Sequence, residues 1–139
     1  KIEDLNFAPL GGGSGMIGLP GDFTPPSRFV RAVAFAKSAR PTPDGQETMY
    51  EMFRILDSFN VPLGAAEGEG ADLTKGMRSA TIWTTAYDTR NLVMQYHTMH
   101  DRRVRQVDLK KIDFSTLKEM VRLPLDKEKS QDILDVTPQ

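Results

Sequence analysis

Residues 11–31 read GGGSGMIGLPGDFTPPSRFVR. Six of the chain's eleven glycines fall in this window: Gly11, Gly12, Gly13, Gly15, Gly18 and Gly21. Glycine permits positive φ and close backbone approach, and Pro20 fixes φ between Leu19 and Gly21, so the chain is steered tightly through a Gly-Leu-Pro-Gly-Asp knot. Beyond the knot the spacing predicts a helix over about residues 27–38. Thr24 is a candidate N-cap, with Pro25 and Pro26 at the first helical positions, and Ser27 is the rival cap. Phe29, Val30, Val33 and Ala34 form one apolar face at helical spacing, and Arg28, Arg31 and Phe35 share another. The N-terminus of a helix is already positive, so an arginine in its first turn is electrostatically misplaced. Such a charge calls for an anionic partner or a task; a solvated side chain is the plainer account.

The glycine run has a second reading. Residues 13–18 match the G-x-G-x-x-G pattern of dinucleotide sites. That fingerprint follows a strand and opens directly into a helix, whereas here residues 19–22 and two further prolines intervene. No G-K-[S/T] follows either, so a structural loop is the better reading.

The whole chain sets bounds on partners. It has 139 residues, 39% hydrophobic and 27% charged, with a net charge of −1. That is one ordinary domain's worth of chain, long enough for a sizeable core. No overall field favours nucleic acid or an acidic membrane, and no apolar run is long enough to span a bilayer. Cysteine is absent. Disulfides, thiolate metal sites and a cysteine nucleophile are therefore excluded within this chain.

The rest of the chain alternates helix and strand signals. Residues 40–45 (RPTPDG) break the first helix. A second is expected over about residues 46–60, where Met49, Met52, Phe53, Leu56 and Phe59 form an amphipathic stripe that reads as core. Residues 61–76 read as a polar loop. Its acidic residues lack the EF-hand pattern. Residues 77–87, 92–99 and 103–109 read as three strands of an antiparallel meander, with a turn at residues 88–91. Leu92, Met94 and Tyr96 face one way, and Val93, Gln95 and His97 the other. His97 and His100 fall on opposite faces of a strand, which suits no shared metal ion. Arg103 and Arg105 share a face and read as a solvated rim. A short helix is expected within residues 114–125, with Ser115 as its cap and Pro124 as its end. Residues 126–139 read as a flexible tail.

Gly18-Leu19-Pro20-Gly21-Asp22 followed by Ser27-Arg28-Phe29-Val30-Arg31 resembles the choloylglycine hydrolase family, which includes bile salt hydrolases and penicillin V acylases. Residues 82–108, IWTTAYDTRNLVMQYHTMHDRRVRQVD, support it through their likeness to the family's late hairpin. The resemblance covers about residues 7–114 and is greatest to the Gram-negative branch, which implies the bacterial periplasm, with the cytoplasm as the alternative. It implies an α+β fold: an Ntn-hydrolase αββα sandwich of which residues 1–139 supply the C-terminal part, an antiparallel sheet plus a helical layer. The implied reaction is hydrolysis of a linear amide by an N-terminal cysteine, with no cofactor and no metal. That cysteine is expected on the remaining N-terminal part of the same protein, since this chain opens with Lys1. This chain alone is therefore expected to be inactive. A homo-oligomer acting on a small-molecule amide is implied. One arginine of the family's active-site set falls in the SRFVR segment. It is placed on Arg28, with Arg31 as second choice, and residues 18–22 are expected to shape the loop that aims it. Asn6 does not carry the family's oxyanion-hole role, because its surroundings do not match. A non-catalytic binding module with the same fold is the alternative function.

Overall fold

A computed structural model describes residues 16–65, 79–116, 118–126, 133 and 135–137. The glycine run at residues 11–15, Asn6, most of the acidic loop and most of the tail lie outside the described residues. The chain divides into two compact units, residues 1–43 with 54–80 and residues 44–53 with 81–139.

The first unit carries helix α1 (Pro25–Ser38), with Thr24 at the N-cap position, its side chain making no capping hydrogen bond, and prolines at its first two positions. These prolines have no N–H, so two of the donors that a helix start leaves unpaired never exist. Ser27, Arg31 and Ala34 are the buried residues of α1. Phe29 and Val30 stand 70% and 40% exposed. Of the face read as apolar, Ala34 is buried and Val33 half-buried, while Phe29 and Val30 turn outward. Hydrogen bonds from Ser27 and Arg31 to the preceding knot help fix which side of α1 turns inward. Phe35 meets Phe59 edge-on, with ring centroids 6.3 Å apart.

In the second unit, helix α2 (Gly45–Asp57) contributes its first nine residues, 45–53. Asp44 starts it: its Oδ1 accepts from the Glu47 backbone N–H at 2.9 Å, the geometry of an N-cap. Three strands, β1 (Trp83–Asp88), β2 (Val93–Thr98) and β3 (Arg105–Asp108), form an antiparallel sheet in the order β1-β2-β3. Thr84 faces His97 and Ala86 faces Gln95 across β1 and β2, and Gln95 faces Gln106 across β2 and β3. These residues share one side of the sheet, by the two-residue period of a strand. Met49, Phe53 and Ala86 form the core on that side, with Met52 against them. The Phe53 ring lies 5.4 Å from the His97 ring. Gln95 Nε2 donates to the Gln46 and Gln106 side-chain oxygens.

The opposite side of the sheet is apolar and open. Trp83 and Tyr87 are 54% and 58% exposed there. With Thr85, Met94, Tyr96, Val107, Leu123 and Leu125 they line a groove of about 370 Å³. The opening is not uniform: Tyr96 and Thr98 on this side are buried, so Gln95 to Thr98 are buried on both faces of β2.

The first strand begins only at Trp83, with residues 79–82 outside it. Two further expectations need correction. The short helix within residues 114–125 does not form among the described residues. Instead a 3-10 turn closes Leu109–Lys111, capped by Asp108, and Asp113 Oδ1 accepts from the Ser115 backbone N–H at 3.0 Å. Ser115 therefore bonds backward to an aspartate instead of capping forward, and residues 118–123 before Pro124 form no helix. Arg105 is likewise no solvated rim. Its guanidinium stacks 4.7 Å from the Tyr96 ring centroid and donates to the Leu125 carbonyl oxygen at 2.6 Å. It also reaches Asp126 at 3.4 Å, while Thr98 Oγ1 donates to the same carboxylate. This clasp lays residues 123–126 along the open side of the sheet.

Candidate functional site

The knot at residues 18–22 is built from a reverse turn. The Leu19 backbone N–H donates to the Met16 carbonyl oxygen at 3.2 Å, and Gly18 between them takes φ 94°. Only glycine adopts that φ without strain, which explains the residue. Pro20 then directs the chain to Asp22.

Asp22 organises the helix start. Its Oδ2 accepts from Ser27 Oγ at 2.6 Å, and its Oδ1 accepts from the Thr24 backbone N–H at 2.9 Å and from Thr24 Oγ1 at 2.5 Å. The Ser27 hydroxyl first, and then the two Thr24 donors, hold its carboxyl down at about 2. This carboxylate also supplies the negative charge that the first turn of α1 otherwise lacks, since that turn has no acidic residue. A depressed carboxyl stabilises the fold above its ordinary value near 3.8 and loses that contribution as pH falls toward 2. Acid titration followed by NMR is expected to show the Thr24 amide shifting between pH 4 and 2, and Asp22→Asn is expected to abolish that shift.

Arg31 closes the knot from the other side. Its Nη1 donates to the main-chain oxygens of Pro20 and Asp22, both at 2.7 Å, and its guanidinium lies 5.4 Å from the Phe59 ring centroid. Arg31 is 6% exposed, and its Nη2 has no acceptor among the described residues.

Arg28 differs in each respect. It is exposed, and among the described residues no acceptor pairs with its guanidinium. The structure thus separates the two arginines: Arg31 turns inward and holds backbone, and Arg28 presents its charge outward from the first turn. A first-turn guanidinium on a tied turn can hold a carbonyl oxygen or a carboxylate, or favour a neighbouring thiolate. The chain itself carries no thiol. His97, buried beside Phe53, belongs to the core of the second unit.

The sequence pattern alone missed three ties: Asp22 to Thr24 and Ser27, Arg31 to the carbonyls of the knot, and Arg105 to residues 125 and 126. The Asp22-x-Thr24 spacing was a usable signal for the first, since a carboxylate readily accepts from a backbone N–H two residues on. Main-chain acceptors such as the Pro20 and Asp22 oxygens leave no mark in side-chain identities.

This architecture, an antiparallel sheet with helix on one side, is α+β, and its structural neighbours are Ntn-hydrolases. The chain belongs to the choloylglycine hydrolase family of linear amide C–N hydrolases, whose family model matches residues 1–123. A bile salt hydrolase/transferase from Clostridium perfringens is 32% identical over 114 residues, covering 80% of this chain and 32% of that protein. A mutant of the conjugated bile acid hydrolase from Clostridium perfringens superposes with a TM-score of 0.65 at 25% identity, covering 99% of this chain and 39% of the other. A penicillin V acylase from Agrobacterium tumefaciens gives a TM-score of 0.59 at 23% identity, covering 71% of this chain and 30% of the other, a likeness of fold. The chain thus spans about a third of the length of the curated relatives it matches.

Proposed function

We propose that this chain is part of an amide hydrolase whose nucleophile is an N-terminal cysteine carried by the remainder of the protein. The observation that carries the proposal is Arg28, an exposed guanidinium without a described acceptor on a turn fixed by two sets of hydrogen bonds. Beside a cysteine it lowers the cost of the thiolate. The thiolate attacks the amide carbonyl carbon, and the cysteine's α-amino group takes the thiol proton and delivers it to the departing amine. The C–N bond breaks, an acyl-thioester remains, and water then releases the acid. Hydrogen-bond donors around the carbonyl stabilise the tetrahedral oxyanion.

The substrate class is a small linear amide, an acyl conjugate of glycine or taurine or the side-chain amide of penicillin V. The relatives' names support that range, and the choice within it rests on portions of the protein outside this chain. The remainder also has two apolar surfaces to cover: Phe29 and Val30 on α1, and the open side of the sheet around Trp83 and Tyr87. In an αββα sandwich a second sheet covers such a side, which supports a single domain completed by that remainder. We further propose that the completed protein assembles as a homo-oligomer.

Thiol alkylation tests the reading. Iodoacetamide is expected to stop amide hydrolysis by the intact protein with one modification, on its N-terminal cysteine. Hydrolysis that survives complete alkylation would exclude the thiol mechanism. A folded protein with no hydrolysis of either substrate would favour a binding module of the same fold.

A further inference from the structure

Arg28 is bracketed by two ties to one turn. One residue before it, Ser27 Oγ donates to Asp22 Oδ2 at 2.6 Å. Three residues after it, Arg31 Nη1 donates to the main-chain oxygens of Pro20 and Asp22 at 2.7 Å each. Ser27 and Arg31 are 9% and 6% exposed. They are four residues apart on α1 and therefore lie on one face, one turn above the other. Asp22 is used at both ends, its carboxylate by Thr24 and Ser27 and its carbonyl by Arg31.

Burying a guanidinium is costly, and a purely apolar contact with Phe59 would be met more cheaply by leucine or methionine. What leucine cannot do is donate to two carbonyls of a turn, which among the described residues of α1 have no other donor. We propose that Arg31 is a positioning residue for Arg28: it locks the Gly18–Asp22 knot to α1 and so fixes where the first turn aims the Arg28 guanidinium. The proposal rests on the reading of Arg28 as the guanidinium beside the reactive thiol. The two prolines make such a lock necessary, because they withhold backbone donors that would otherwise tie the helix start to its surroundings. A displacement of about 1 Å at a reacting group is enough to cost on the order of 100-fold in rate.

The test uses the intact protein, with kcat normalised to alkylatable cysteine so that misfolded molecules are not counted. Hydrolysis of penicillin V and of a glycine-conjugated bile salt is measured for Arg31→Ala, Arg31→Lys, Ser27→Ala and Arg28→Ala. Arg31→Ala is expected to lose about 10- to 100-fold in kcat per thiol with KM within about twofold. Arg31→Lys, whose ammonium can donate to both carbonyls, is expected to recover most of that loss. A residue with a merely structural role would lower the number of active thiols and leave kcat per thiol unchanged. Wild-type kcat per thiol in Arg31→Ala, with Arg28→Ala inactive, overturns the proposal and leaves Arg28 in place. If Arg31→Ala does not fold, Ser27→Ala decides, because it breaks the other tie: reduced kcat per thiol supports the lock and unchanged kcat per thiol overturns it. Full turnover by Arg28→Ala removes the reading on which the proposal stands.

Discussion

Arg28→Ala in the intact protein is expected to lower kcat for amide hydrolysis by about 100- to 1,000-fold, the usual cost of deleting one preorganised electrostatic group at a reacting centre. The side chain is exposed and pairs with no described residue. Its removal should therefore leave the circular dichroism spectrum and the melting temperature unchanged. The reactive thiol should lose an adjacent positive charge, so its pKa should rise and its alkylation at neutral pH should slow. Arg28→Lys should recover only part of the rate, because an ammonium keeps the charge but not the planar fork of donors. Steady-state kinetics with a parallel alkylation–pH profile checks both points. An unchanged thiol pKa with a large loss of kcat would assign Arg28 to substrate contact instead of thiol activation.

The second large effect concerns stability. Phe53→Ala is expected to cost about 3 kcal/mol, the lower end for deleting a buried phenylalanine. Phe53 is 8% exposed and packs with Met49 and Ala86 over the sheet, against the His97 ring. Few other apolar side chains share that space, so the cavity has little to collapse onto it. Ala86, 1% exposed beneath it, marks how closely α2 approaches β1. Denaturant unfolding of the intact protein should show the loss, and Phe53→Leu should show a smaller one. A loss below about 1 kcal/mol for Phe53→Ala would mean that this cluster does not hold α2 to the sheet.

Much of this architecture was legible in the chain. The stripe from Met49 to Phe59 and the alternation from Leu92 to His97 report periodicity directly; β2 forms where its period places it, and α2 forms but stops at Asp57, leaving Phe59 beyond the helix. Turn chemistry was legible too: Asp88 accepts from the Asn91 side chain and then its backbone N–H, closing the hairpin and holding the Asp88 carboxyl below its usual range. Leu92, with φ 60°, was not legible, because a bulky residue gives no sign that it must take a left-handed conformation. The inward face of α1 was partly legible. Apolar periodicity pointed to Phe29, Val30, Val33 and Ala34, of which Ala34 is buried, but within its own unit the helix is also held by Ser27 and Arg31 through hydrogen bonds. The helix expected after Phe114 failed because Asp113 and the Arg105 clasp offered that segment other partners. The identity of Arg28 as the outward arginine was only half visible. Sequence marked its charge as misplaced, and only the Arg31 contacts to backbone oxygens showed which of the two arginines is spoken for.

The most direct test compares amide hydrolysis by the intact protein with that by the 139-residue chain alone, on penicillin V and a glycine-conjugated bile salt. The account predicts turnover of at least one substrate by the intact protein and none by the isolated chain, which has Arg28 but no thiol. Turnover by the isolated chain, or none by a folded intact protein with a reactive N-terminal cysteine, would contradict it.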